Sequence, residues 1–359
     1  MEMEVESIKD CKQEDLNNAI IRNITKSIYD VQKLRIAIGN RVVSNFNHKL
    51  GTTGTEGIGD TDTKDIDNSS NSSNSSNSDN SNNNNNSDND YKDSDKKDKE
   101  NKKIIEQLRK EYRRITDGYI ENKTTLRKYI KENTGIITDV FEYELIDNYL
   151  KLVDSENGYI KALDRVVTKH PLWIDFLSKV RGCGPLMSGV IISELDPYKA
   201  KYPSSFWKYA GLDVVRVEDK DGNMIEEGRG RKAGHLVNKV YKDRDGNETK
   251  TRGITYNAFL KSKLVGVLAT SFLRSKSPYS EIYYNYKSRL NNTPNLDISD
   301  KHKHNRALRY MIKQFLVDLW VAWRELEGLD TPEPYYVAKL GMERHKNTIL
   351  DRIRSGEIA

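Results

Sequence analysis

Apolar residues recur three and four apart over residues 16–50, where Ile21, Ile24, Ile28, Val31, Ile38 and Val42 form one stripe flanked by Lys26, Lys33, Arg35 and Arg41. That period is helical, and a single apolar stripe must be covered, so it predicts a bundle or coiled-coil helix that needs a partner surface. Gly39 interrupts the stripe, which favours a bundle helix over a dedicated dimer zipper, although a homo-oligomer is also expected. The period is lost over 51–103, where Gly, Thr, Asp, Ser and Asn take over and the run closes on KDSDKKDKENKK. Such a stretch cannot bury enough apolar surface to offset its ordering entropy, so a disordered insert is expected there. Helical spacing returns at 104–131 through Ile105, Leu108, Tyr112, Ile115, Tyr119, Leu126 and Ile130, and again at 137–153 and 160–167, until His170-Pro171 breaks it. Loop closure costs little more for a long loop than for a short one, so the helices on either side of the insert are expected to pair as an antiparallel hairpin.

The pattern changes at 180–195, VRGCGPLMSGVIISEL, where Gly182 and Gly184 flank Cys183 and Pro185 opens a run with Leu186, Val190, Ile191 and Leu195 at helical spacing. This predicts a helix, a glycine hairpin tolerant of positive φ, and a second helix with proline at its first position. Amides at that helix N-terminus suit a phosphate, and a plain helix–helix turn in an all-α core suits the spacing equally well. Beyond Asp196-Pro197, Phe206, Trp207 and Tyr209 are core candidates and Gly211 a helix stop. Alternating valines around DKDGN and DRDGN then predict two β-hairpins, from Leu212 and from His235. A long helix is expected over 254–273, opened by Gly253. A tyrosine-rich helix follows, with Tyr279, Tyr283, Tyr284 and Tyr286 beside Lys287 and Arg289, and then a final helix with Leu308, Ile312, Phe315, Leu319 and Trp323 inward. The fold class is therefore mainly α, a helical bundle or coiled-coil N-terminal region followed by a helix-hairpin-helix domain with a small β-hairpin insertion. The expected divisions are an N-terminal helix at 1–50, the insert at 51–103, a helical region at 104–170, a DNA-binding domain at 171–328 and a tail at 329–359.

Composition refines this picture only in places. The 359 residues carry a net charge of +5, mild enough to permit a nucleic-acid partner without requiring one. The cations are not spread evenly: Arg229, Arg231, Lys232, Lys239, Lys242, Arg244, Lys250 and Arg252 fall in and between the two hairpins, where a merely solvated surface would mix signs, so phosphate contact is expected. The aspartates of the Asp-Gly turns do not make a calcium loop, because Gly222 and Gly246 come too early and no glutamate closes it. His302 and His304 cannot share a helical face and have no nearby cysteine, so zinc is not expected, nor is any other metal or cofactor. Two distant cysteines, Cys11 and Cys183, suggest no disulfide framework, and no apolar run is long enough to span a membrane, so an intracellular protein is expected.

The run GCGPLMSGVIISELDPYKAKYPSSFWKYAGL resembles the C-terminal domain of insertion-sequence transposases of the one-ten family, the bridge-RNA-guided recombinases. The shared features are the glycine-proline hairpin, an acidic-proline turn, a phenylalanine-led helix, and an end built from Tyr209, Gly211 and Leu212. TRGITYNAFLKSKL, YYNYKSRL and RALRYMIKQFLVDLWVAWREL are similar to later segments of that family, so the resemblance spans about 173–328. It implies DNA as partner, with a guide RNA as a further one, and contacts at Arg181, Gly182, Gly184, Arg229, Arg231, Lys232, Lys239, Arg252, Gly253, Lys287 and Arg289. Two departures limit it. Residues 1–172 offer no strand-borne aspartates to replace the family's metal-binding carboxylates, and 211–260 contains no serine where the family's nucleophile stands. Thr249 and Thr251 are poor substitutes, being β-branched. The chain is therefore expected to bind DNA without catalysis of its own, the alternatives being a recombinase that borrows a metal domain from a partner, or a structural helical oligomer.

Overall fold

The computed structural model describes residues 2–50, 87–218, 222–242, 246–294, 298–332 and 349–357. The part of the expected insert at 51–86, and Arg244, lie outside the described residues. Helices dominate, with two antiparallel two-stranded ribbons between them, so the chain is mainly α with a small β insertion. Contacts divide it into two compact units, Lys26–Lys161 and a second made of Met1–Thr25 with Ala162–Ala359.

In the unit Lys26–Lys161, helix α1 (Glu2–Leu50) contributes its C-terminal part, and α2 (Ser87–Glu121), α3 (Leu126–Lys131) and most of α4 (Val140–Val167) complete it. Val42, Val43 and Phe46 of α1 share a core with Ile104, Leu108 and Ile115 of α2 and with Tyr143, Ile146 and Tyr149 of α4. The helices on either side of the insert thus share a core, and these α1 positions are covered by the chain's own helices. Helix α2 starts at Ser87, so the polar run 87–103 extends a helix whose apolar face begins at Ile104, contrary to the expected disorder up to 103. Helix α4 runs unbroken where two segments were expected, because Gly158 meets no neighbour and costs only its weak helix propensity.

The second unit is built on α6 (Pro185–Glu194), buried from Met187 to Ser193 on all sides because every face is apolar or small. Short α5 (Pro171–Asp175) is capped by His170, whose Nδ1 accepts from the Leu172 amide at 3.1 Å. Helix α7 (Pro203–Tyr209) precedes β1 (Val214–Glu218) and β2 (Met224–Gly228), then β3 (Val237–Lys242) and β4 (Glu248–Gly253), with Gly222 and Gly246 in their turns at φ of 81° and 84°. Gly253 therefore ends a strand. The helix opens at Ala258, capped by Asn257, and the expected single helix is α8 (Ala258–Ser262), a π-helical stretch (Lys263–Leu268) and α9 (Ala269–Ser275). Helix α10 (Tyr279–Asn291) and the long α11 (Asp300–Leu326) follow, with Phe272 of α9 stacked on Tyr279, Phe315 edge-on to both, and the Tyr279 hydroxyl donating to Asp318 at 2.6 Å. The expected tail is more than a tail, since α12 (Ile349–Arg354) buries Ile349, Leu350 and Ile353 against α11. No described helix is long and apolar enough to cross a membrane.

Candidate nucleic-acid interface

The glycine hairpin forms between α5 with its trailing 3₁₀ turn (Leu177–Lys179) and α6, and its two glycines differ. Gly182 has φ 93°, and a Cβ there would meet Ser275 Oγ at 2.6 Å and Phe272 at 3.2 Å. Its carbonyl accepts from Ser271 Oγ at 2.8 Å. Gly182 is thus held against α9 by its own chain. Gly184 has φ −78° and ψ 173°, is exposed, and has open space where a Cβ would sit, so its place here does not depend on positive φ. Cys183 between them is buried, and burial pushes its thiol up to about 12. Arg181 is exposed beside them.

The loop cations also separate into two sets. Arg229 grips Asp213 with Nε and Nη2 at 2.8 to 3.0 Å, reaches Thr255 Oγ1 with Nη1 at 2.9 Å, and leaves its side chain only 14% exposed. Lys232 sits on Glu227 at 2.7 Å, and the same carboxylate faces His235, whose Nδ1 accepts from the Gly230 amide at 2.8 Å. These pairs pull Glu227 below its ordinary range, Lys232 most strongly. Arg229 and Lys232 are therefore tied within the turn between the ribbons by carboxylates of their own chain. Arg231, Lys239, Lys242 and Lys250 are exposed and make no hydrogen bond or ion pair among the described residues.

The β3–β4 ribbon collects most of these outward cations. Pairing of Asn238 with Arg252, Val240 with Lys250 and Lys242 with Glu248 puts those six residues on one face, and Val237, Lys239, Tyr241, Thr249, Thr251 and Gly253 on the other. All six β3 residues are exposed, so neither face is a core face. Arg252 anchors the base through Nη2 to the Ala233 carbonyl at 2.9 Å, and the Lys239 stem lies over Gly253. Thr249 and Thr251 lie on the face opposite Lys242, Lys250 and Arg252, with Thr251 directly across from Lys239. On α10, Arg289 covers the Tyr286 ring at 4.7 Å and Lys287 lies 5.9 Å from that of Tyr283, while Tyr279 and Tyr283 are core residues and Tyr284 is exposed.

A cationic cluster unseen in the sequence gathers at the end of β2. Arg309 and Lys313 stand one turn apart on α11, and Lys261 on α8 donates from Nζ to the Arg229 carbonyl at 2.5 Å while facing the Tyr256 ring at 4.5 Å. A Cβ on Gly228 would collide with Arg309 Nη1, so the guanidinium lies on that glycine. Burial, then Arg309, pull Lys261 down to about 7, with Arg229 and Arg231 adding and Asp213 opposing. Lys313, over the Trp207 ring, is lowered chiefly by burial. The sequence held a hint in Gly228 and Gly230 around Arg229, but Arg309 and Lys313 read there as the wet side of a helix. In the other unit, an open groove of about 610 Å³ carries Arg35, Lys102, Arg109, Lys110 and Arg113 against Glu106 and Glu156, the last paired with Arg35. Among the described residues no group of three or more His, Cys, Asp or Glu side chains is placed to hold a metal ion. No protein-family model, curated protein or solved structure matches the chain.

Proposed function

We propose that the chain is a DNA-binding protein, related through residues 171–328 to the transposases it resembles and acting without a covalent step of its own. The β3–β4 ribbon carries this reading. It is a two-stranded arm with no apolar core face, presenting Lys242, Lys250, Arg252 and Asn238 together with Glu248 as the single carboxylate on that side. A two-stranded ribbon fits the DNA major groove, roughly 12 Å wide, and lysine and arginine supply the phosphate attraction that draws it there. Gly184, uncovered at the start of α6, is a second place where a phosphate can approach backbone.

The test is duplex binding by fluorescence anisotropy across a salt series. Changing Lys242 and Lys250 to Glu should weaken binding to all sequences and flatten the plot of log affinity against log salt by up to about one per lost phosphate contact. Gly184→Val should weaken binding at nearly unchanged stability, because valine accepts that backbone conformation and its Cβ enters open space. Unchanged affinity in both variants would remove the ribbon reading.

A further inference from the structure

We propose that the Gly228–Arg229 peptide, with the heads of Arg309 and Lys261 gathered on it, is a binding site for a phosphate group. Arg309 is half-buried and makes no hydrogen bond or ion pair among the described residues. A guanidinium cannot shed its charge, so holding it partly out of water without a partner carries a cost. The partner is not supplied by the described chain. Asp213 is the one carboxylate acting by charge on Lys261 and Lys313, and both its oxygens are taken by Arg229.

The place is built to admit a ligand. Gly228 lacks the Cβ that would displace the Arg309 head, and a Cβ on Gly230 would meet only His235 and the Gly228 carbonyl oxygen at ordinary contact distance, so neither residue beside Arg229 brings a side chain of its own to the turn. Lys261 spends one donor on the Arg229 carbonyl and keeps two. The nitrogens of Arg309 are not among the sealed and unpartnered polar atoms, which belong to Thr25, Thr124, Ser277 and Gln314, so its head still meets solvent. Lys313 stands on the same face of α11, and Glu194 on α6 is engaged by Asn257 at 2.5 Å. A tetrahedral oxyanion meets this set better than a carboxylate, since an arginine fork takes two oxygens and the lysines the others. The lowering of Lys261 and Lys313 agrees with a cluster whose counter-charge is missing.

The probe is inorganic phosphate at fixed ionic strength with acetate as control, read by calorimetry and thermal melting of the full chain. Phosphate should raise the melting temperature and acetate should not. Arg309→Met and Lys261→Met should each weaken phosphate roughly tenfold or more, the loss of one charge-assisted contact. Without phosphate, Arg309→Met should melt no lower than the native chain, because it removes an unpaired charge; a structural arginine would do the opposite. Gly228→Ala should weaken phosphate without removing a charge, and it decides with Lys261→Met if Arg309→Met fails to fold. Equal effects of phosphate and acetate, or native phosphate affinity in these variants, would overturn the site. Loss of duplex affinity in Arg309→Met, with competition by phosphate, identifies the ligand as a nucleic-acid backbone phosphate. Duplex affinity kept while phosphate affinity is lost identifies a free phosphate compound, and either result upholds the site. The ribbon reading fails separately, since the Lys242 and Lys250 variant should bind inorganic phosphate as the native chain does.

Discussion

His170 shows how one side chain ties folding to acidity. It is buried, its Nδ1 caps α5 by accepting from Leu172, and its Nε2 lies 3.0 Å from Asn18 Oδ1. Burial lowers it from 6.5 to about 4, so it stays neutral in the fold where the unfolded chain takes up a proton. Its contribution is complete above pH 6.5 and is lost as pH falls from 6.5 towards 4, by roughly 1 kcal/mol for each pH unit in that window. Urea unfolding at several pH values should show a steeper acid loss in the native chain than in His170→Asn, which keeps an acceptor for the cap. Equal slopes would show that His170 ionises freely. At this scale the sequence reveals identity but not pairing. Asp-Gly turns are legible because positive φ is a local demand met at Gly222 and Gly246. Arg229 reads as a loop cation because its partner Asp213 lies 16 residues away.

Elements were legible where one face is apolar over several turns. The α1 stripe and the α2 stripe from Ile104 onward were both readable and do share a core. Less legible were breaks without a sequence marker. The π-helical stretch at Lys263–Leu268 interrupts an apolar period that reads as one helix, and it keeps Leu260, Leu264, Leu268 and Phe272 buried despite the change of winding. The two-sided exposure of the β3–β4 ribbon was equally hidden, since alternating valines normally mark a buried face. Because Val42, Val43 and Phe46 of α1 are covered within their own unit, Ile115→Ala in α2 should cost about 2–5 kcal/mol through the cavity left in that core. The denaturant midpoint should not move with protein concentration. A midpoint that rises on concentrating the protein would show that a second copy covers the stripe.

For the whole molecule, the sequence suggested a C-terminal domain complete in itself, and the contacts enlarge it at both ends. Ile21 of α1 is fully buried, Arg22 Nε donates to the Ser193 carbonyl at 3.0 Å, and Asn18 meets His170. A Cβ on Gly189 of α6 would press on Leu163 of α4 at 2.8 Å and Thr25 of α1 at 3.1 Å. No local pattern could announce that residues near the start of the chain cover a helix more than 150 positions on, because hydrophobic periodicity reports that a face is buried and not by what. A fragment of residues 162–359 should therefore melt lower by circular dichroism than a fragment to which 1–25 is joined. Equal melting temperatures would place Met1–Thr25 outside that unit.

The ribbon's exposure has one more consequence. A sheet of two strands has no interior strand, so β3 and β4 each present an outer edge of unpaired amides and carbonyls to solvent. Such edges invite the edge of another copy, and lysine is a common deterrent because a like-charged strand repels its twin. Lys239, Lys242 and Lys250 thus protect the free protein from strand-to-strand aggregation while remaining available to an oppositely charged partner. Replacing them with neutral residues would remove that guard and, if the proposed DNA contact holds, weaken it at the same time, whereas glutamate keeps copies apart while repelling DNA.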